Sequence, residues 1–193
     1  LQNYSKYYKE YDIKKKAGGK RHLSVPKGVV KKMQKWIYES ILLPAYHPSS
    51  CVHGFIRKTE NETRSIVTNA YPHVKQPYLL NVDIAHFFDS VTRDSVEEVF
   101  LKLGYTDEVS ATLSKICTYK ERLPQGAPTS PILSNMVVSQ KDLQFSDIPE
   151  NNNCRYTRYA DDLTFSSSAP IIILPVVREI VENFHFRLNE KKT

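Results

Sequence analysis

The sequence predicts an α+β fold, and two observations predict it. Apolar residues recur at helical spacing in several segments and gather into short extended runs in others. The two kinds of segment are mixed, without the regular strand–helix alternation of a doubly wound parallel sheet. The 193 residues, 40% of them apolar, suffice for one large domain or two small lobes sharing a core, with a globular composition.

The first element is a hairpin. YDIKKKAGGKRHLSVP holds two extended runs around Gly18-Gly19, a strong turn signal. Pro26 then opens a helix with Val30, Met33, Ile37 and Ile41 on its apolar face, ending before Pro44. Tyr78 to Phe88 (YLLNVDIAHFF) is a near-continuous apolar run, hence a strand, interrupted by Asp83. A helix follows, capped at Thr92 or Asp94, with Val96, Val99, Phe100 and Leu103 inward and Gly104 as its stop. Thr106 caps the next helix, whose face is Val109, Leu113 and Ile116. In PTSPILSNMVVSQKDL, Ser130 is the expected cap and Pro131 the first turn, with Ile132, Leu133, Met136 and Val137 inward. CRYTRYADDLTFSSS reads as strand, tight turn, strand, and Pro175 starts a last helix carrying Val176, Val177, Ile180, Val181 and Phe184.

Composition excludes several classes. The longest apolar stretch, APIIILPVV, is too short for a membrane span and is broken by Pro175. Cys51, Cys117 and Cys154 are widely spaced and odd in number, so they suit buried structural thiols in a reducing cytoplasm rather than a disulfide framework or a metal knuckle. The start at Leu1, without a charged-then-apolar leader, reads as trimmed and carries no secretory signal. Net charge is +6. Between Lys6 and Lys35, basic residues interleave with Tyr7, Tyr8 and Tyr11, the combination that phosphate contact and base stacking require, and a nucleic-acid partner is expected.

Two acidic sites interrupt apolar strands: Asp83, and the adjacent pair Asp161-Asp162. Like charges side by side repel, and burying them is costly unless something positive compensates. A polar hairpin turn alone would accommodate the pair. Taken with Asp83, the pair instead suggests carboxylates from two strands holding two Mg²⁺ ions, which prefer oxygen ligands and keep waters and phosphates in their shell. Between these sites, LPQGAPTSP offers the Gln125 amide, a glycine for close backbone approach, and a helix N-terminus suited to an anionic ligand. It also reads as an ordinary loop before a helix.

NVDIAHFFDS, LPQGAPTSPILSN and YADD, in this order, resemble motifs A, B and C of reverse transcriptases; the basic hairpin resembles their fingertip hairpin, and FRLNEKKT resembles motif D. Together these motifs are highly specific and span nearly the whole sequence. Asn69 to His73 (NAYPH) is similar to the Asn-Ala-x-x-His element of bacterial retron reverse transcriptases, and His53 to Phe55 (HGF) suits the retron and group II intron branch. The resemblance implies the fingers and palm of a right-hand polymerase, with an antiparallel palm sheet and packed helices. Residues 1–76 and about 92–124 would be fingers, and 77–91 and about 125–193 palm. Because the family continues past motif D into a primer-grip hairpin and a thumb, residues 1–193 are expected to be a fragment that holds the metal site and lacks the clamp.

By position, the resemblance makes Asp83, Asp161 and Asp162 the catalytic carboxylates, with Asp83 and Asp161 the firmer metal ligands and the Ile84 carbonyl helping to hold one ion. Phe88 matches the steric gate that rejects ribose, with Phe87 its rival. Gln125 matches the residue contacting the incoming sugar and base pair, and Tyr159 would stack near the primer end. Arg21 and one of Lys14, Lys15 and Lys16, Lys15 fitting best, match the triphosphate cations. Lys192, with Lys191 beside it, matches the motif D lysine that protonates pyrophosphate. His73 would organise the template-RNA side; His86 is expected to be structural. The implied partners are template and primer RNA, an RNA–DNA duplex, deoxynucleoside triphosphates and a retron effector protein, with no membrane. The implied role is phage defence in the cytoplasm. A group II intron or other defence reverse transcriptase, an RNA-templated RNA polymerase and an inactive RNA-binding module are the alternatives.

Overall fold

The computed structural model describes residues 4–14, 18–60, 63–152 and 154–193, without the side chains of residues 140 and 149–152. After a 3₁₀ turn at Tyr4–Tyr7, strands β1 (Tyr8–Lys14) and β2 (Lys20–Pro26) form the expected antiparallel hairpin, with Tyr11 opposite Leu23 and Ile13 opposite Arg21. Helix α1 is Gly28–Ile37, so Pro26 closes the strand and does not open the helix. The helix does not stop before Pro44. It runs through a π-helical turn at Tyr38–Leu42 into α2 (Leu43–Ala45). A proline ring meets the carbonyl four residues back, here that of Ser40, and the wider turn stands where that conflict falls.

Helix α3 (Ile66–Ala70) has a reciprocal cap between Ser65 and Thr68 and passes into a 3₁₀ turn at Tyr71–His73. Strand β3 is Tyr78–Asp83, shorter than the expected run to Phe88. Past Asp83 the chain leaves the sheet: the Ala85 N–H donates to the Arg187 carbonyl, and His86 adopts φ +51°. Short helix α4 is Phe87–Ser90, and α5 is Arg93–Lys102, capped by Thr92, whose hydroxyl accepts from the Ser95 N–H at 3.1 Å. Helix α6 (Asp107–Cys117) buries the expected Leu113 and Ile116 together with Ser110, Ser114 and Cys117, and leaves the expected Val109 exposed. Helix α7 extends over Ser130–Asn152. Its first residue, Ser130, donates to the Pro124 carbonyl at 2.8 Å instead of capping the helix. Strands β4 (Cys154–Tyr159) and β5 (Asp162–Ser167) and helix α8 (Leu174–Asn183) complete the chain.

The chain divides into two compact units. The first comprises Leu1–Tyr46 and Phe88–Val137. Its hairpin packs through Tyr8, which stacks on Tyr119 at 4.1 Å beside Val30. In α1 the expected Met33 is exposed; Gln34 is buried instead, donating to the Tyr8 hydroxyl at 2.9 Å and the Ile116 carbonyl at 2.8 Å.

The second unit comprises His47–Phe87 and Val138–Thr193. Its sheet has the order β3-β5-β4 and is antiparallel throughout, as expected. Tyr156 stacks on Phe165 at 4.9 Å, and Phe145 of α7 meets Phe165 edge-on. Val177 and Val181 bury the inner face of α8. Among the described residues, no helix is long and apolar enough to cross a membrane.

Candidate active site

In the second unit, the ladder between β3 and β5 sets Asp83 directly opposite Asp162. Residues so paired share a face, with β-carbons about 5 Å apart. The sequence spaces these two acids far apart; the register brings them together. Asp161 lies in the two-residue turn between Tyr159 and Asp162, whose first residue, Ala160, has φ +59°. That is the pattern of a type II′ turn, which joins antiparallel strands without splaying them. The Asp161 carbonyl accepts the Ile84 N–H at 3.0 Å, tying the turn to the end of β3.

Asp83 is buried and accepts two hydrogen bonds, from Asn189 Nδ2 at 2.7 Å and from Lys192 Nζ at 2.6 Å. The segment bearing these donors pairs with the chain beyond β3: the Asn189 N–H donates to the Asp83 carbonyl and Ile84 bridges Leu188. Neither bond of that ladder uses the Ile84 carbonyl. Thus Lys192 reaches the carboxylates, and its ammonium is held above its ordinary pKa chiefly by the bond to Asp83. Asp162 is pushed up to about 6, first by lost hydration, then by the negative charge of Asp161 and Asp83.

This donor set suits a divalent cation. It is all oxygen, and its carboxylates repel one another, which a cation relieves; Lys192 already offsets part of that charge at Asp83 and would have to share it with the ion. Among the described residues, no three acidic, His or Cys side chains form a ready-made metal cage. A Mg²⁺ site here would therefore draw on waters and substrate phosphates for the rest of its shell.

The first unit holds a second group. The Ser24 N–H donates to the Gln125 carbonyl at 2.9 Å, and Gly126, at φ +111°, lies so close to β2 that a β-carbon would stand 2.8 Å from Val25 Cγ2. The hairpin that carries Arg21 is thereby fixed to the loop that carries Gln125. Arg21 is exposed and Gln125 partly so. Lys15 lies outside the described residues. Phe88 is partly exposed, whereas Phe87 is buried against Phe186 with ring centroids 6.0 Å apart. Phe87 is thus the core ring, and Phe88 is the one with an accessible face.

Tyr159 is half-buried at the end of β4, opposite Asp162. His73 has both ring nitrogens engaged by the sheet: Nδ1 with Ser166 Oγ at 2.6 Å and Nε2 with Thr157 Oγ1 at 2.8 Å. Because Thr157 donates to the Asn69 carbonyl, its oxygen accepts from Nε2–H, which leaves Nδ1 to accept from Ser166. Burial, followed by the charges of Arg155 and His53, lowers the His73 pKa, which favours the neutral ring. His73 therefore acts as a staple between the Asn69–His73 element and β4 and β5. Sequence reasoning missed Asn189, although it lies inside the segment resembling motif D, because an amide within a charged tail carries no signal of its own.

The profile of the family "Reverse transcriptase (RNA-dependent DNA polymerase)" matches residues 13–193, and the chain belongs to that family. It is similar to the Retron Ec86 reverse transcriptase of Escherichia coli, at 36% identity over 96% of this chain and 58% of that protein. It is also similar to the Retron Mx65 reverse transcriptase of Myxococcus xanthus, at 34% identity over 97% of this chain and 48% of that protein. These relatives bear out the retron resemblance, and the chain spans about half their length. A solved telomerase from Candida albicans, in complex with a TWJ fragment of telomeric RNA, shares the fold at TM-score 0.59 and 12% identity, over 96% of this chain and 42% of that one.

Proposed function

We propose that this chain supplies the fingers and palm of a retron RNA-directed DNA polymerase, with residues 77–91 and about 125–193 as palm and the rest as fingers. The observation that carries this reading is the register pair Asp83–Asp162 beside Asp161 in the turn. In the reaction, a primer hydroxyl attacks the α-phosphate of a deoxynucleoside triphosphate; a new P–O bond forms and pyrophosphate leaves. Asp83, Asp161, Asp162 and the Ile84 carbonyl would hold two Mg²⁺ ions, which when bound supply Lewis acidity toward the attacking hydroxyl and the leaving oxygen. Arg21, with Lys15, binds the triphosphate. Gln125 contacts the sugar and base pair, the Phe88 ring excludes a 2′-hydroxyl, and Tyr159 stacks near the primer end. Lys192 holds a proton that can pass to pyrophosphate as it departs. The retron reading brings with it a companion structured RNA as template and primer, an effector protein, and phage defence.

Primer extension on an RNA template, with deoxy- and ribonucleotides compared in the full-length protein, tests this. Extension with deoxynucleotides is expected, and Asp161→Asn should abolish it while leaving RNA affinity within a few-fold of the parent, because it removes a metal ligand and no phosphate contact. Near-parental extension by Asp161→Asn would overturn the assignment.

A further inference from the structure

The turn that carries Asp161 has an unusual support. Arg158 and Asp142 are both completely buried and form a bidentate ion pair, Nε to Oδ1 at 2.7 Å and Nη2 to Oδ2 at 2.6 Å. The Tyr156 hydroxyl donates to the same carboxylate at 3.0 Å. A buried ion pair is a weak device for stability alone, since well-packed apolar residues generally serve as well. The geometry gives this one another task. The remaining arm of the guanidinium, Nη1, donates to the Ala160 carbonyl at 3.0 Å.

That carbonyl belongs to the peptide joining Ala160 to Asp161. Fixing its plane fixes the backbone rotation that aims the Asp161 side chain. Ala160 needs such a restraint, because φ +59° is a conformation that residues with a β-carbon rarely adopt. The other sides of the turn are also held. The Arg158 N–H donates to the Cys51 carbonyl, and the His53 N–H donates to the Arg158 carbonyl, each at 2.8 Å. Gly54 follows directly, and a β-carbon there would stand 2.3 Å from the Ala160 nitrogen.

We propose that Arg158 and Asp142 are positioning residues for nucleotidyl transfer: Asp142 orients the guanidinium, and the guanidinium holds the Ala160–Asp161 peptide by its carbonyl while the preceding Tyr159–Ala160 peptide rests against the Gly54 backbone, so that Asp161 points correctly. This rests on the polymerase reading above. Only arginine serves, because it makes a two-pronged bond to the carboxylate and still has a donor to spare, whereas a lysine ammonium is a point charge.

The test replaces the network by apolar residues of similar size, Tyr156→Phe/Asp142→Leu/Arg158→Met, in the full-length protein. Melting temperature, affinity for the primer–template, and kcat and KM for deoxynucleotide are measured beside the parent and Arg158→Lys. The triple variant should melt near the parental temperature, bind primer–template as tightly and keep its KM. Its kcat should fall on the order of 10²-fold, the usual effect of misplacing a reacting group by about 1 Å. Arg158→Lys should also lose kcat, because charge without the fork does not clamp the turn. Parental kcat in the triple variant, or loss of its folding transition, would overturn the proposal. A parent that fails to extend the primer would instead overturn the polymerase reading.

Discussion

At the scale of single residues, the two neighbouring phenylalanines separate cleanly. Phe87 is spent in the core against Phe186, and Phe88 keeps an accessible face. Phe88→Ala should therefore raise ribonucleotide incorporation relative to deoxynucleotide by on the order of 10-fold or more, the worth of roughly one to two methylene-sized contacts at a selective site. An unchanged ratio in competition primer extension would return Phe88 to simple packing. Asp162 makes a second case. Its pKa of about 6 in the fold lies above the ordinary 3.8. The folded state thus holds its proton more tightly than the unfolded state, and the ionised group opposes folding. The contribution of Asp162 to stability is fullest below pH 3.8 and falls as pH rises through about 6. In metal-free buffer, Asp162→Asn should raise the melting temperature at pH 8 and leave it almost unchanged at pH 4. Added Mg²⁺ should raise the parent more than the variant.

At the scale of elements, the sheet and the hairpin were legible in the sequence, because apolar runs and a Gly-Gly turn act locally. The carboxylates stand out in the sequence through their motifs, and the register then sets Asp83 opposite Asp162. What was not legible depends on partners distant in the chain. Gln34 is buried because Tyr8 and the Ile116 carbonyl await its amide, and nothing around it in the helix says so. Nothing beside Arg158 in the sequence marks it as buried; its partner, Asp142 of α7, is distant in the chain. His73 reads as an RNA-side residue, yet its ring holds the Asn69–His73 element onto the sheet. His73→Ala leaves the buried Ser166 and Thr157 hydroxyls without that partner and should cost about 1–3 kcal/mol in chemical denaturation. Because the ring's pKa is lowered in the fold, its stabilisation is complete above the ordinary value of 6.5 and is lost as pH falls below it. The alanine variant should lack that acid-side decline.

At the scale of the whole molecule, part of the positive charge gathers in one place. Lys9, Lys27 and Lys31 line one groove of the first unit together with Tyr11 and Val25. Tyr11 is 42% exposed there, and Lys27 stands at the N-terminal boundary of α1 with no side-chain cap and no acidic residue in the first turn. Cations at a helix N-terminus oppose the helix dipole, so this arrangement does not serve the stability of α1. It would suit an anionic chain lying in the groove, with phosphates on the ammonium groups and a base on the tyrosine ring, over which the Lys9 ammonium stands in this structure. Each phosphate contact to single-stranded nucleic acid releases about 0.7 of a counterion. Neutralising all three as Lys9→Gln/Lys27→Gln/Lys31→Gln should therefore flatten the plot of log affinity for single-stranded RNA against log salt by about 2 in slope. Weakening should be greatest at low salt and the same for all sequences, since phosphates carry no sequence information. The KM for deoxynucleotide should stay at the parental value, whereas Arg21→Ala, on the β2 strand tied to Gln125, should raise that KM and leave the salt slope nearly intact. If the triple variant retains the parental slope, the groove is a solvated surface and the RNA contacts lie elsewhere; if Arg21→Ala changes the slope and not the KM, the roles of the two basic sites are exchanged.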